Sequence, residues 1–183
     1  MRHGQSLANL RGIIVSHPEN GCGGYGLSDL GRRQVEESLT AGHPLDEKTL
    51  IVSSDFERAL ETAEIAHRRF ACEIPIAIDK RLRERHFGEL ELTSDRGYAS
   101  VWERDAGNPD SNWRGVESAN RVMQRVTSLV ADCETRHEGE TLLLVSHGDA
   151  LQLLQTAFRR QDASRHRLLD HLETAEIRAL QLA

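Results

Sequence analysis

The chain has no apolar run approaching the roughly 20 residues of a membrane span, and no apolar export segment opens it. A membrane or secreted protein is therefore not expected, and a cytoplasmic one is. Basic residues are the minority: 23 Lys and Arg against 29 Asp and Glu leave a net charge of −6 and no cationic footprint for nucleic acid. Cysteine is sparse. Cys22, Cys72 and Cys133 are isolated, odd in number and never spaced as CxxC, so neither a disulfide framework nor a cysteine zinc site is expected. The nine histidines show no HxH or HExxH spacing, and no metal is expected. Aromatics make up only 4% of the chain. Nothing repeats and no linker divides the 183 residues, a length that suits one domain, 1–183, with a substantial core.

What is present is an alternation of apolar runs and amphipathic stretches. Thr49–Val52 and Thr141–Val145 read as buried strands, and Ile74–Ile78 as an edge strand because of Pro75. Ala175–Leu182 alternates as a last strand would. Ser54-Asp55-Phe56-Glu57 reads as a capping box opening a helix with Phe56, Ala59, Leu60, Ala63, Ala66 and Phe70 on one face. Ser28 caps a helix turning Leu30, Val35 and Leu39 inward, a long helix spans about 118–136, and another follows His147. Strands alternating with helices predict an α/β/α sandwich with a largely parallel sheet. In such sheets ligands sit beyond the carboxyl ends of the strands. Arg58, in the first turn after one strand, and His147, two residues past another, both fall there. A strand leading into Arg2-His3-Gly4 would bring all three motifs to one edge.

That edge suits phosphoryl transfer. Neutral imidazole is a competent nucleophile near neutral pH, and guanidinium forks are permanently charged and bidentate toward phosphate. Gly4 would let the backbone approach the anion. Glu84, in a loop among Arg81, Arg83 and Arg85, could exchange a proton with the leaving oxygen, although balancing local charge explains it as simply. Taken singly, each histidine is more simply an ordinary polar residue.

Five blocks in order (RHGQSLAN, LSDLGRRQ, SSDFERALETAEI, ERHFGELE and LLLVSHGDALQLL) resemble the signature segments of the histidine phosphatase superfamily, also called phosphoglycerate-mutase-like. The resemblance implies an α/β/α sandwich and a metal-independent phosphatase that uses a phosphohistidine and no cofactor. It implies His3 as nucleophile, Arg2, Arg58 and His147 around the phosphate, Glu84 as acid and base, and Asn9 as a further phosphate contact. Its substrate would be a small phosphorylated metabolite. A phosphoglycerate-type mutase is the alternative, since ERHFG resembles the mutase version. So is a catalytically impaired protein that binds a phosphorylated ligand.

Three departures accompany the resemblance. Only Met1 precedes the RHG motif, so most of the family's first strand is absent and His3 would be poorly braced. Arg114–Ser118 replaces the usual Pro-x-Gly-Glu-Ser segment, leaving Glu117 without a clear role. Leu90-Glu91-Leu92 replaces an aromatic-acidic-glycine ending. Gly21–Gly26 matches GxGxxG but lacks a strand before it, so it reads as a loop at the pocket rim, with His17 and Tyr25 as candidate substrate contacts. His43, His67, His86, His137, His166 and His171 are assigned no role, and Trp102 and Trp113 are read as packing residues. The sequence leaves the oligomeric state open.

Overall fold

Two buried apolar runs anchor the centre of the molecule, as the alternation predicts. The computed structural model describes residues 1–40 and 42–181. Its elements run α1 (Leu7–Arg11), α2 (Pro18–Gly21), α3 (Asp29–Ser38), β1 (Leu50–Ser53), α4 (Glu57–Phe70), β2 (Ala77–Ile78), α5 (Tyr98–Gly107), α6 (Ala119–Arg136), β3 (Leu142–Val145) and α7 (Gly148–Phe158). The strands pair in parallel in the order β2-β1-β3. Helical crossovers return the chain to the same end of the sheet each time, which makes parallel pairing possible. β1 is buried along its whole length, as a central strand covered on both faces must be. β2, two exposed residues after Pro75, lies at the edge.

Alternation along the strands builds the layers. Ile51, Leu143 and Val145 pack on Val35 and Leu39 from the α3 side and on Ala59, Ala63 and Ala66 of α4. Leu144 turns the other way, toward Val122 and Val126 of α6 and Leu151 and Leu154 of α7, and Val52 meets Leu129 on that face. Helices thus cover both sides of the sheet. Ser118 caps α6 by accepting the Arg121 N–H, and Ser28 caps α3 by accepting that of Gly31.

Met1–His3 run beside the end of β3. Ser146 N–H donates to the Met1 carbonyl, and His3 N–H to that of Ser146, at 3.1 and 3.0 Å. On the opposite side, Arg2 N–H donates to the Glu176 carbonyl and Ala175 N–H to that of His3. Contrary to expectation, His3 is braced from both flanks.

Several local predictions fail for identifiable reasons. The capping box does not form, because α4 begins at Glu57 with Phe56 as its N-cap and no side-chain cap. Phe56 is fully buried against Gly21, where a Cβ would lie 2.6 Å from ring carbons, so packing sets the entry of this helix. Leu30 is 44% exposed, since Gly31 and Val35 define the inner face of α3. The stretch read as a rim loop begins within a helical turn, α2. Residues 175–181 form no regular strand, and Leu182 lies outside the described residues. Gly4 serves packing: a Cβ there would sit 2.5 Å from the Gly31 carbonyl oxygen, and one on Gly31 would sit 2.0 Å from that of Gln5. The loop that follows His3 and α3 touch backbone to backbone.

Candidate active site

The carboxyl ends of β1 and β3 and the first three residues meet at one sheet edge. They form a pocket of about 170 Å³ whose wall includes Arg2, His3, Arg58, Glu84 and Asn9. His3 is buried. Its Nδ1 lies 2.7 Å from the Gly4 carbonyl oxygen, which places the ring proton on Nδ1. Arg58 Nε–H donates to His3 Nε2 at 3.1 Å, so Nε2 carries the lone pair. Burial, then the charges of Arg58 and Arg2, hold the His3 pKa well below the ordinary histidine value. The ring is neutral at neutral pH, with its nucleophilic nitrogen defined.

His147 follows β3 directly, and its ring centroid lies 5.1 Å from that of His3. Its Nε2 is 2.9 Å from the Ser54 hydroxyl, which also takes an N–H from Phe56 at 3.3 Å. With the Ser54 hydroxyl as donor, the His147 proton lies on Nδ1. The pKa is again held well below the ordinary value, first by burial and then by Arg58. Arg58 is buried and anchored by Nη2–H to the Val15 carbonyl at 3.0 Å. Arg2 reaches the Leu172 carbonyl at 2.7 Å and His171 Nε2 at 2.9 Å. Arg2 Nε, Arg58 Nη1 and His147 Nδ1 are buried nitrogens with no protein partner. A buried donor left unpaired costs about 1–3 kcal/mol, and Arg2 and Arg58 both line the pocket, where an anion would take their free N–H groups.

Glu84 lies in the wall. Its Oε1 accepts the N–H of Arg85 at 2.9 Å and of Ala150 at 3.3 Å. Desolvation, then the nearby Asp149 carboxylate, raises its pKa above the ordinary value. A carboxyl shifted in this direction is a better proton donor-acceptor near neutral pH than an ordinary glutamate.

Asn9 lines the pocket, but its side-chain oxygen is taken by the N–H and hydroxyl of Ser6 in the cap of α1. His17 is set apart: it caps α2, packs edge-on to His86 at 5.5 Å and lines a neighbouring cleft. Tyr25 is not in the pocket wall; the Arg11 guanidinium lies over its ring at 5.6 Å. Glu117 pairs with Arg125 at 2.9 Å, and Glu91 ties Ser16 to Asn20. Both are structural contacts. Cys22, Cys72 and Cys133 are free thiols.

Trp102, Tyr98, His171 and Asp149 are among the wall residues that sequence reasoning missed. Trp102, read as packing, lines the pocket and donates Nε1–H to both Asp149 oxygens at 3.1 Å. Tyr98 stacks on it at 5.5 Å, and burial pushes the Tyr98 hydroxyl pKa up. The i, i+4 spacing of these aromatics was the available signal. His171 is driven to a pKa of about 4 by burial and by Arg2, so it accepts from Arg2 as a neutral ring. Asp149 adds a buried carboxylate. Trp113, by contrast, packs as expected, with Phe87 and Val116. No helix among the described residues is long and apolar enough to cross a membrane.

Comparison with known proteins gives a consistent answer. The chain is 33% identical over 171 residues to a glucosyl-3-phosphoglycerate phosphatase of Mycolicibacterium vanbaalenii, covering 86% of this chain and 71% of that one. It is 33% identical over 159 residues to a probable phosphoglycerate mutase, GpmB, of Salmonella paratyphi C, covering 84% and 70%. Among solved structures, a mycobacterial glucosyl-3-phosphoglycerate phosphatase in complex with VO3 superposes with a TM-score of 0.77 at 27% identity, covering 95% of this chain and 87% of that one. Bacillus stearothermophilus YhfR gives 0.77 at 27% identity, over 100% and 91%. The sequence profile of the histidine phosphatase superfamily (branch 1) matches residues 1–183, and the chain belongs to that superfamily.

Proposed function

We propose that the chain hydrolyses a small phosphomonoester without a metal, through a phosphohistidine on His3. The observation that carries this reading is the fixed tautomer of His3, its Nε2 lone pair held by Arg58 in a pocket that Arg2 and Arg58 line with partnerless N–H groups. In the first step Nε2 attacks phosphorus, the bond from phosphorus to the ester oxygen breaks, and Glu84 gives its proton to the departing alkoxide. Arg2, Arg58 and His147 Nδ1–H take the equatorial oxygens, whose charge is delocalised in the transition state. In the second step Glu84, now a carboxylate, takes a proton from water. That water displaces the histidine, breaking the bond between phosphorus and nitrogen, and phosphate leaves.

The relatives named as phosphatase and mutase support phosphorylated metabolites as the substrate class. Glu84 also lines the larger neighbouring cleft of about 800 Å³, beside His17, Arg83 and His86, which offers space for the rest of such a molecule.

The test is turnover of p-nitrophenyl phosphate in EDTA, with a search for acid-labile, base-stable phosphate on the protein. Turnover should survive chelation and fall at least ~10³-fold in His3→Ala, together with the labelled species. Full activity in His3→Ala would sink the mechanism. Interconversion of phosphoglycerates with a bisphosphate primer, faster than hydrolysis, would reassign the chain as a mutase.

A further inference from the structure

A buried carboxylate beside a phosphate pocket demands explanation, because it repels the ligand that the arginines attract. Asp149 is such a group: 4% exposed, in the first turn of α7, with its side chain in the wall of the pocket. Its two oxygens are both occupied by the Trp102 N–H at 3.1 Å, and Oδ2 lies 3.5 Å from Arg85 Nη1. An oxygen pair clamped this way is poorly placed to trade protons with a substrate.

Glu84 docks on the same turn, accepting the N–H of the next residue, Ala150. Two backbone donors and a helix N-terminus favour its ionised form, as do Arg58 and Arg2. Left to these, Glu84 would be a spent acid at neutral pH. The opposing influences are its desolvation and the Asp149 charge.

We propose that Asp149, held by Trp102 and Arg85, is a positioning residue whose negative charge keeps the proton on Glu84 until the leaving oxygen takes it. This rests on the acid and base role of Glu84 proposed above. The charged and titratable groups around the pair come from every packed element. Glu84 faces Arg58 of α4, Arg2 and Tyr98 of α5. Asp149 faces Arg85, Arg167, His166 and His171. Arg167 lies over the Trp102 ring at 3.7 Å, holding the clamp from outside.

The experiment is the pH profile of kcat/KM for the wild type, Asp149→Asn, Asp149→Glu, Trp102→Phe and Glu84→Gln. Asp149→Asn should move the alkaline limb down by about one pH unit, a roughly tenfold loss at pH 8, while the acid side changes little. Asp149→Glu should restore the limb, and Trp102→Phe, which keeps the charge, should leave it in place. An unmoved limb in Asp149→Asn, with Glu84→Gln strongly impaired, overturns the inference while sparing the role of Glu84. Full activity in Glu84→Gln overturns both. Infrared spectra of the wild type give a reading that needs no Asp149 variant to fold. A protonated carboxyl band that persists above the ordinary glutamate range and is lost in Glu84→Gln is expected; a band that titrates within the ordinary range overturns the inference.

Discussion

Arg58 and Arg85 are both buried guanidinium groups, 4% and 0% exposed, and they are buried for opposite reasons. Arg85 is fully engaged. It forms a bidentate pair with Asp105 at 2.6 and 2.8 Å and donates Nε–H to the Glu117 carbonyl at 2.6 Å. Among the described residues Arg58 has no carboxylate in contact, only an imidazole nitrogen, one carbonyl and a free Nη1. A buried cation with its counter-charge is a fastening. A buried cation without one is stability withheld for a ligand, since only an arriving anion repays its desolvation.

The sharpest way to break this comparison is Asp105→Asn. Removing one partner of a buried pair strands the other, and a loss of about 3–5 kcal/mol is expected. Urea unfolding at constant m-value reads it; a loss below ~1 kcal/mol would make Arg85 no fastening at all. Arg58→Met should do the reverse. Activity falls about 10²–10³-fold, as for other single anion-stabilising donors, while the unfolding midpoint holds or rises. A midpoint drop matching that of Asp105→Asn would erase the distinction.

The smallest effect concerns protons. The folded chain holds His3 and His147 neutral well below the ordinary value of 6.5, whereas the unfolded chain protonates them near that value. Protons therefore favour unfolding: the stability these rings allow is complete above pH 6.5 and is lost as pH falls. The slope should approach about 1.4 kcal/mol per pH unit for each ring. Denaturation series from pH 7.5 to 5.5 measure it, and His3→Gln should remove one ring's share.

Legibility in the sequence divided along physical lines. β1, β3 and α6 were read nearly to their ends because burial imprints itself as continuous or periodic apolar runs. The His3, Arg58 and His147 convergence was legible because strand ends in an α/β sheet point one way. The cap of α4 was misread because Phe56 is fixed by Gly21, which no local pattern reveals. Trp102, His171 and Asp149 escaped for a related reason. They face the pocket from segments whose spacing says nothing about Arg2, and only the folded wall joins them. Gly4 was read as ligand clearance and proved to be clearance for a helix.

The contact from Arg2 to the Leu172 carbonyl spans 170 residues. Synthesis proceeds from the amino end, so His3 leaves the ribosome long before the groups that orient its neighbouring arginine. A nascent chain therefore carries His3 as an ordinary imidazole through most of translation. The pocket wall around His3 is therefore complete only once the segment that carries Leu172 has emerged.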